Sequence, residues 1–287
     1  MRKMDGGGIG EDRIREFLRE DIGFGDITTE ALIEEGQEAK ARLYFKEEGV
    51  TAGLDVARAI FEVLGCEAEL LVADGSRVPA GKTLMEIKGP ARSLLAAERT
   101  VLNIVSRMAG IATSVATAQR IASKANPSLR VAATRKTAPG LRALDKMAVE
   151  LGGGDTHRFR LDDCVLIKDN HLKLLPSVSE AVRRARDRVS FTKKIEVEVR
   201  NLEEAVEASD AGADIVMFDN MPPEEISGCL KALEEKGLRD GRLFEASGGI
   251  TMDNLAEYAS SGVDVISMGS LTHSVRSLDV KLEIEMI

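Results

Sequence analysis

The sequence predicts an α/β fold: an incomplete α/β barrel of about six parallel strands, with a smaller domain toward its N-terminal end. Two observations carry this. Short apolar runs recur at residues 129–133, 164–167, 195–199, 214–218, 243–246 and 263–268. The gaps between them hold segments of helical spacing, among them 177–186, 202–208, 224–234 and 254–259. Strand and helix alternating at this interval imply parallel strands joined by right-handed crossovers. Such units are fewer than a full barrel needs, so a partial barrel is expected, with a doubly wound open sheet as its rival.

Along the chain, residues 1–10 (MRKMDGGGIG) read as a flexible leader, basic but without the hydrophobic core of a signal peptide or anchor. Ile14, Phe17 and Leu18 stand at helical spacing within 11–20. The loop DIGFGDITT follows, where Asp26 or Thr28 can cap the next segment. Residues 38–46 alternate, with Ala39, Ala41, Leu43 and Phe45 on one face of a half-buried strand. A helix over 54–64, a strand near 67–72, the turn DGSRVPAG and a strand at 83–87 make this a small α+β domain with an antiparallel sheet. Pro90 opens a long helical tract, 91–125, expected to break near Gly110. The domain transition falls in it: 11–109 form the small domain and 110–273 the barrel. The tail LDVKLEIEM alternates again, so 274–287 is expected to rejoin the small domain as a strand.

Composition removes several function classes. A formal net charge of −9 lacks the basic footprint that nucleic acid demands. Aromatic residues, at 3% with no tryptophan, supply no stacking platform for bases. An anionic ligand must therefore bind in a local pocket, against the overall field. Cys66, Cys164 and Cys229 are scattered, which excludes a disulfide framework, disfavours zinc and suits a reducing cytoplasm. No apolar run is expected to reach the length of a membrane span.

The polar residues that follow the apolar runs share one position. Arg135 and Lys136 follow the first run, Lys168 the second, Glu198 ends the third and Asp219 follows the fourth. Ser247, Gly248 and Gly249 follow the fifth, and Gly269 the sixth. The carboxyl ends of barrel strands form one face, and that face holds the active site. An isolated Arg135–Lys136 pair would only solvate a loop. At a strand end, beside Thr134, Thr137 and Arg142, these cations suit a small polyanion, because guanidinium forks match carboxylate and phosphate.

GGGDTHR, ending at Arg158, could be a glycine helix stop with a polar loop. Yet its glycines let backbone approach a ligand, and His157 is one of three histidines in the chain. Lys168 could form a Schiff base, donate a proton or neutralise an anion. Glu198 and Asp219 could be salt-bridge partners of these cations. As a pair they could also hold Mg²⁺, which takes few carboxylates together with water and substrate phosphate. The clusters Ser247–Gly249 and Gly269–Ser270, at the last two strands, suit a phosphate held by backbone N–H groups.

Seven segments carry a resemblance: DIGFGDITTEAL, AERTVLNIVSRMAGIAT, ATRKTAPGLRALDKMAVELGGGDTHRFRLDDCVLIKDNH, IEVEV, DIVMFDN, EASGGI and GVDVISMGSLTHSVRSLDVKLEI. In order, over nearly the whole chain, they resemble the quinolinate phosphoribosyltransferases, or carboxylating nicotinate-nucleotide pyrophosphorylases. The resemblance implies an α/β sandwich domain on an incomplete α/β barrel, in homodimers with shared active sites, with assembly into hexamers allowed. It implies transfer of phosphoribosyl from phosphoribosyl pyrophosphate to quinolinate, with Mg²⁺ and loss of CO₂. Thr156 and Met147 depart from the pattern, where asparagine and an aromatic are usual.

Residue by residue, the resemblance places Arg135, Lys136, His157, Arg158 and Lys168 in the basic substrate pocket. Arg99 would come from the partner subunit. Glu198 and Asp219 would lie near ribose and Mg²⁺, and Ser247, Gly248, Gly249, Gly269 and His273 at the phosphate end. Lys136, Lys168, Glu198 and Asp219 are the candidates for a part in catalysis. The rivals are a related transferase acting on nicotinate or another ring acid, a Lys168 Schiff-base lyase, and a non-catalytic binder of a phosphorylated metabolite.

Overall fold

A computed structural model describes residues 9–287, so the expected leader lies almost wholly outside the described residues. The chain forms two compact units: one runs to Ser114 and takes in Val275–Ile287, the other is Val115–Ser274. The division falls inside the helix Ala91–Ala125, a few residues after the expected 109/110 boundary.

In the first unit, the helix Glu11–Ile22 buries Ile14 and Leu18 and stops at Gly23, whose φ of 60° favours glycine. Asp26 caps the helix Ile27–Leu32 by accepting from the Thr29 N–H at 3.0 Å. Strands β1 (Glu38–Phe45), β2 (Gly49–Val50), β3 (Glu67–Leu70), β4 (Arg77–Val78) and β5 (Thr83–Pro90) surround the helix Leu54–Val63 in sequence. The main sheet is antiparallel, in the order C-terminal strand (Val280–Met286), β1, β5, β3. Its alternation is as expected: Ala39, Ala41, Leu43 and Phe45 are buried, and Leu43 faces Leu282 across the ladder.

The helix Ala91–Ala125 is continuous, so the expected break near Gly110 does not occur. Gly110 serves a close approach instead. A Cβ there would lie 2.2 Å from the carbonyl oxygen of Arg276, so only glycine lets the returning chain pass. A second expectation also needs correction, because this helix is long and apolar enough to cross a membrane. Of its most apolar window 61% is buried inside the protein, which makes it a core helix.

In the second unit, β6 (Arg130–Ala132), β7 (Val165–Ile167), β8 (Ile195–Val199), β9 (Ile215–Asp219), β10 (Leu243–Ser247) and β11 (Val265–Ser267) are all paired in parallel. Their order is β6-β11-β10-β9-β8-β7. That order is cyclic, with the first strand beside the last and no switch point, and so excludes the doubly wound rival. The result is an incomplete barrel. Val131, Val197, Val216, Phe218, Phe244 and Ile266 are fully buried along these strands, as the apolar runs required. Ser177 and Asn201 cap the helices Val178–Arg188 and Leu202–Asp210, each accepting a backbone N–H three residues on.

Candidate active site

The site is built outward from the edge of β6. The glycine segment takes up the hydrogen-bonding groups of that edge: Ala132 bridges Asp155 in parallel, and the Asp155 N–H donates to Val131 at 2.8 Å. Gly154 permits this, since a Cβ there would lie 3.1 Å from the Val131 carbonyl oxygen and 2.6 Å from the Val115 side chain. The chain then turns sharply. His157 has φ 50°, a left-handed conformation uncommon outside glycine. Three contacts hold it: the His157 N–H donates to Asp155 Oδ1 at 2.7 Å, the Arg158 N–H donates to His157 Nδ1 at 2.8 Å, and buried Lys146 donates to the Thr156 carbonyl.

This turn sends the imidazole inward. Its Nε2 lies 3.3 Å from Glu245 Oε2 and 3.5 Å from Glu196 Oε1, and both glutamates are buried at 1% and 0% exposure. Burial opposes a charge on the ring, but hydrogen bonds and charges from Glu196 and Glu245 outweigh it and lift the pKa to about 10. Burial also raises the Glu196 carboxyl, against the opposing hydrogen bond from His157. Because Nδ1 accepts the Arg158 N–H, the ring hydrogen sits on Nε2, aimed at the acids. The proton that the raised affinity adds is therefore held by the carboxyl of Glu196, whose own affinity burial raises, and not by Nδ1. Their ligand atoms lie within 4.8 Å of one another, which could suit a metal. A metal-bound imidazole donates from its other nitrogen, however, and here that nitrogen accepts.

A cavity of about 540 Å³ opens at the carboxyl ends of the strands. Arg135, Lys136, His157, Arg158 and Lys168 line it, with Glu198, Asp219, Ser247, Gly248 and Gly249. Arg135 Nε is buried without a hydrogen-bond partner, a donor left ready for an anion. Arg142 braces the loop instead, bonding Thr137 Oγ1 at 3.1 Å and the carbonyls of Phe159 and Arg135. Lys168 donates to Glu198, while its own N–H donates to His171 Nδ1 at 2.9 Å, which gives His171 a capping role. Gly248 has φ 92° and packs on Asn220, whose side chain would lie 2.5 Å from any Cβ.

Some expected residues lie elsewhere. Gly269 and His273 are not among the residues lining the cavity. Gly269 is a packing neighbour of one that is, since a Cβ there would sit 3.0 Å from Lys136 Cδ and 3.2 Å from His273 Cδ2. Arg99 is exposed on the helix Ala91–Ala125, in the first unit. Thr156 and Met147 do not line the cavity either. Sequence reasoning missed Glu196, Glu245, Asn220 and Lys146. Strand parity was the available signal for two of them: Glu196 is two residues before Glu198, and Glu245 two before Ser247, so each shares a sheet face with an expected site residue.

Residues 26–109 match the model of the quinolinate phosphoribosyl transferase N-terminal domain, and residues 111–283 that of its C-terminal domain. The chain is 50% identical over 273 residues to a Methanothermobacter thermautotrophicus protein named as a probable nicotinate-nucleotide pyrophosphorylase (carboxylating), covering 95% of this chain and 98% of that protein. The human nicotinate-nucleotide pyrophosphorylase (carboxylating) is 40% identical over 271 residues, covering 94% of this chain and 90% of that protein. The crystal structure of NadC from Streptococcus pyogenes superposes with a TM-score of 0.90 at 36% identity, over 96% of each chain. The chain belongs to the quinolinate phosphoribosyltransferase family.

Proposed function

We propose that this protein transfers the phosphoribosyl group of phosphoribosyl pyrophosphate to quinolinate, giving nicotinate mononucleotide, pyrophosphate and CO₂ for NAD biosynthesis. One observation carries the reading most directly. In a chain of this family, Arg135, Lys136, His157, Arg158 and Lys168 meet Glu198, Asp219 and a glycine turn in one cavity. Quinolinate is a dianion and its co-substrate is heavily anionic, so a cavity that gathers Arg135, Lys136, Arg158 and Lys168 in a protein of net charge −9 matches both.

Arg135 and Arg158, joined by Arg99 of a partner subunit in a homodimer, clamp the two carboxylates. The clamp sets the pyridine nitrogen in line with ribose C1, a gain in proximity and orientation. The nitrogen attacks C1 as pyrophosphate departs, and Glu198 or Asp219 offsets the positive charge that builds on the ribose. The ring nitrogen is then cationic. The bond to the 2-carboxylate breaks, its electrons pass to the ring carbon, CO₂ leaves, and that carbon takes up a proton.

Glu198 and Asp219 fit a Mg²⁺ site of the open kind, two carboxylates at adjacent strand ends completed by water and substrate phosphate. When bound there, the ion neutralises charge on the leaving pyrophosphate. Gly248 and Gly249 offer backbone N–H groups to the same phosphates. Lys168 sits in an ion pair with Glu198, unlike the desolvated free amine that Schiff-base chemistry needs. The three free cysteines suit a reducing, cytoplasmic setting.

The test is incubation with quinolinate, phosphoribosyl pyrophosphate and Mg²⁺, following CO₂ and nucleotide together. Equimolar release of both supports the reading. Nucleotide formation from nicotinate, with none from quinolinate, would replace it with the related transferase.

A further inference from the structure

Two carboxylates of the second unit are buried beside His157, Glu245 lining the cavity and Glu196 behind it. Glu196 on β8 and Glu245 on β10 are nearly without solvent contact. Both oxygens of Glu196 and Oε1 of Glu245 have no hydrogen-bond partner meeting ordinary geometry. Carboxylates buried in this way are costly, and apolar side chains would fill a strand interior more favourably. What both acids face is Nε2 of His157, at 3.5 and 3.3 Å. The other ring nitrogen is committed to the Arg158 backbone. The imidazole is thus held at both nitrogens, and through it the backbone of Arg158, whose Nη1 also donates to the Cys164 carbonyl at 3.2 Å.

We propose that Glu196 and Glu245 are positioning residues for quinolinate. They fix the Nε2–H tautomer and orientation of His157, which in turn sets where the Arg158 guanidinium enters the cavity. Glu196 is not among the residues lining the cavity, whereas Glu245 lines it beside His157, so Glu196 gives the cleaner test of positioning. The left-handed backbone at His157 fits the same role, since an uncommon conformation persists only where its surroundings over-determine it. Two acids on different strands, β8 and β10, meet the ring with a stiffer purchase than one alone would give.

The proposal rests on the quinolinate reading above, so its test begins with a measurement that does not need activity. The chain has three histidines, so ¹⁵N-histidine labelling gives a spectrum simple enough to assign with His171→Asn and His273→Asn variants. In the wild-type protein the His157 ring should show a protonated Nε2 and an unprotonated Nδ1. A ring protonated at Nδ1 alone, or one averaging between tautomers, overturns the proposal. The kinetic arm compares Glu196→Gln and Glu245→Gln with wild type. Each should raise the KM for quinolinate roughly tenfold, as expected when the ring loses a charged partner at Nε2, leave the KM for phosphoribosyl pyrophosphate within about twofold, and disturb the His157 signals. Unchanged quinolinate KM in both variants, or equal rises for both substrates, overturns it. A wild-type protein that makes no nucleotide but shows the fixed Nε2–H ring would refute the functional reading and leave the positioning geometry standing.

Discussion

Lys146, a lysine with no solvent exposure, donates a hydrogen bond to the carbonyl oxygen of Thr156 beneath the turn that carries His157. Burial, with the like charges of Arg142 and Arg135, lowers its pKa to about 8. The unfolded chain keeps a lysine near 10.5, so between about pH 8 and 10.5 the unfolded state binds more protons. The charged lysine therefore penalises the fold below pH 8, and the penalty is relieved as pH rises through that window. Lys146→Met should remove this dependence. Relative to the variant, wild type should gain on the order of 3 kcal/mol between pH 7 and pH 10.5. Denaturant unfolding of both proteins across that range checks it, and parallel pH profiles would count against it.

Gly110→Ala sets two effects against each other. Alanine favours a helix interior by about 1 kcal/mol over glycine. The added Cβ would sit 2.2 Å from the Arg276 carbonyl oxygen and 3.0 Å from Ser277 Cα, both backbone, which cannot swing away as a side chain can. Steric cost should win, leaving the protein less stable by about 1–3 kcal/mol. Thermal unfolding decides the sign: a raised melting temperature would mean that the C-terminal segment yields freely at this point.

The apolar runs located all six barrel strands within two residues at each end, because a strand buried on both faces must be apolar throughout. Cyclic strand order was harder to see, since it depends on pairing between β6 and β11, which are far apart along the chain. Gly110 was misread because a glycine in a helix can signal a break or a close approach, and only the partner at Arg276 tells which. Residues at strand ends were legible, as barrel topology puts Arg135, Lys168, Glu198 and Asp219 at one cavity. Glu196 and Glu245 were missed although they share strand parity with Glu198 and Ser247, because an acid between apolar neighbours on a strand looks solvent-facing until a barrel closes around it.

Arg135→Ala tests the division between the two substrates. The Arg135 Nε is a buried donor without a partner, so its removal takes away an interaction with the anion and leaves little else disturbed. A hydrogen bond to a charged group contributes about 1.5–3 kcal/mol, so quinolinate affinity should fall by about 10- to 100-fold. Affinity for phosphoribosyl pyrophosphate should change far less. Equal losses for both ligands, measured by equilibrium binding, would show that Arg135 serves the cavity's general potential and not the carboxylates of one substrate.

Gly248→Ala addresses the other end of the cavity. With φ at 92°, the backbone there lies where an L side chain is strained by about 1–2 kcal/mol. The new Cβ would also press on the Asn220 side chain at 2.5 Å, and the Asn220 Nδ2 donates to Asp219 at 2.9 Å. Asn220 is itself left-handed, φ 56°, and its N–H donates to the Ser247 carbonyl at 2.9 Å, so it has little room to retreat. The displacement should pass to Asp219 and to the N–H groups at the turn. It should raise the KM for phosphoribosyl pyrophosphate about tenfold, the equivalent of about 1.4 kcal/mol, and shift Mg²⁺ dependence to higher concentration, with the KM for quinolinate nearly constant. If the turn served only to link β10 to the helix Leu255–Ala259, the variant would lose stability while both KM values stayed where they were.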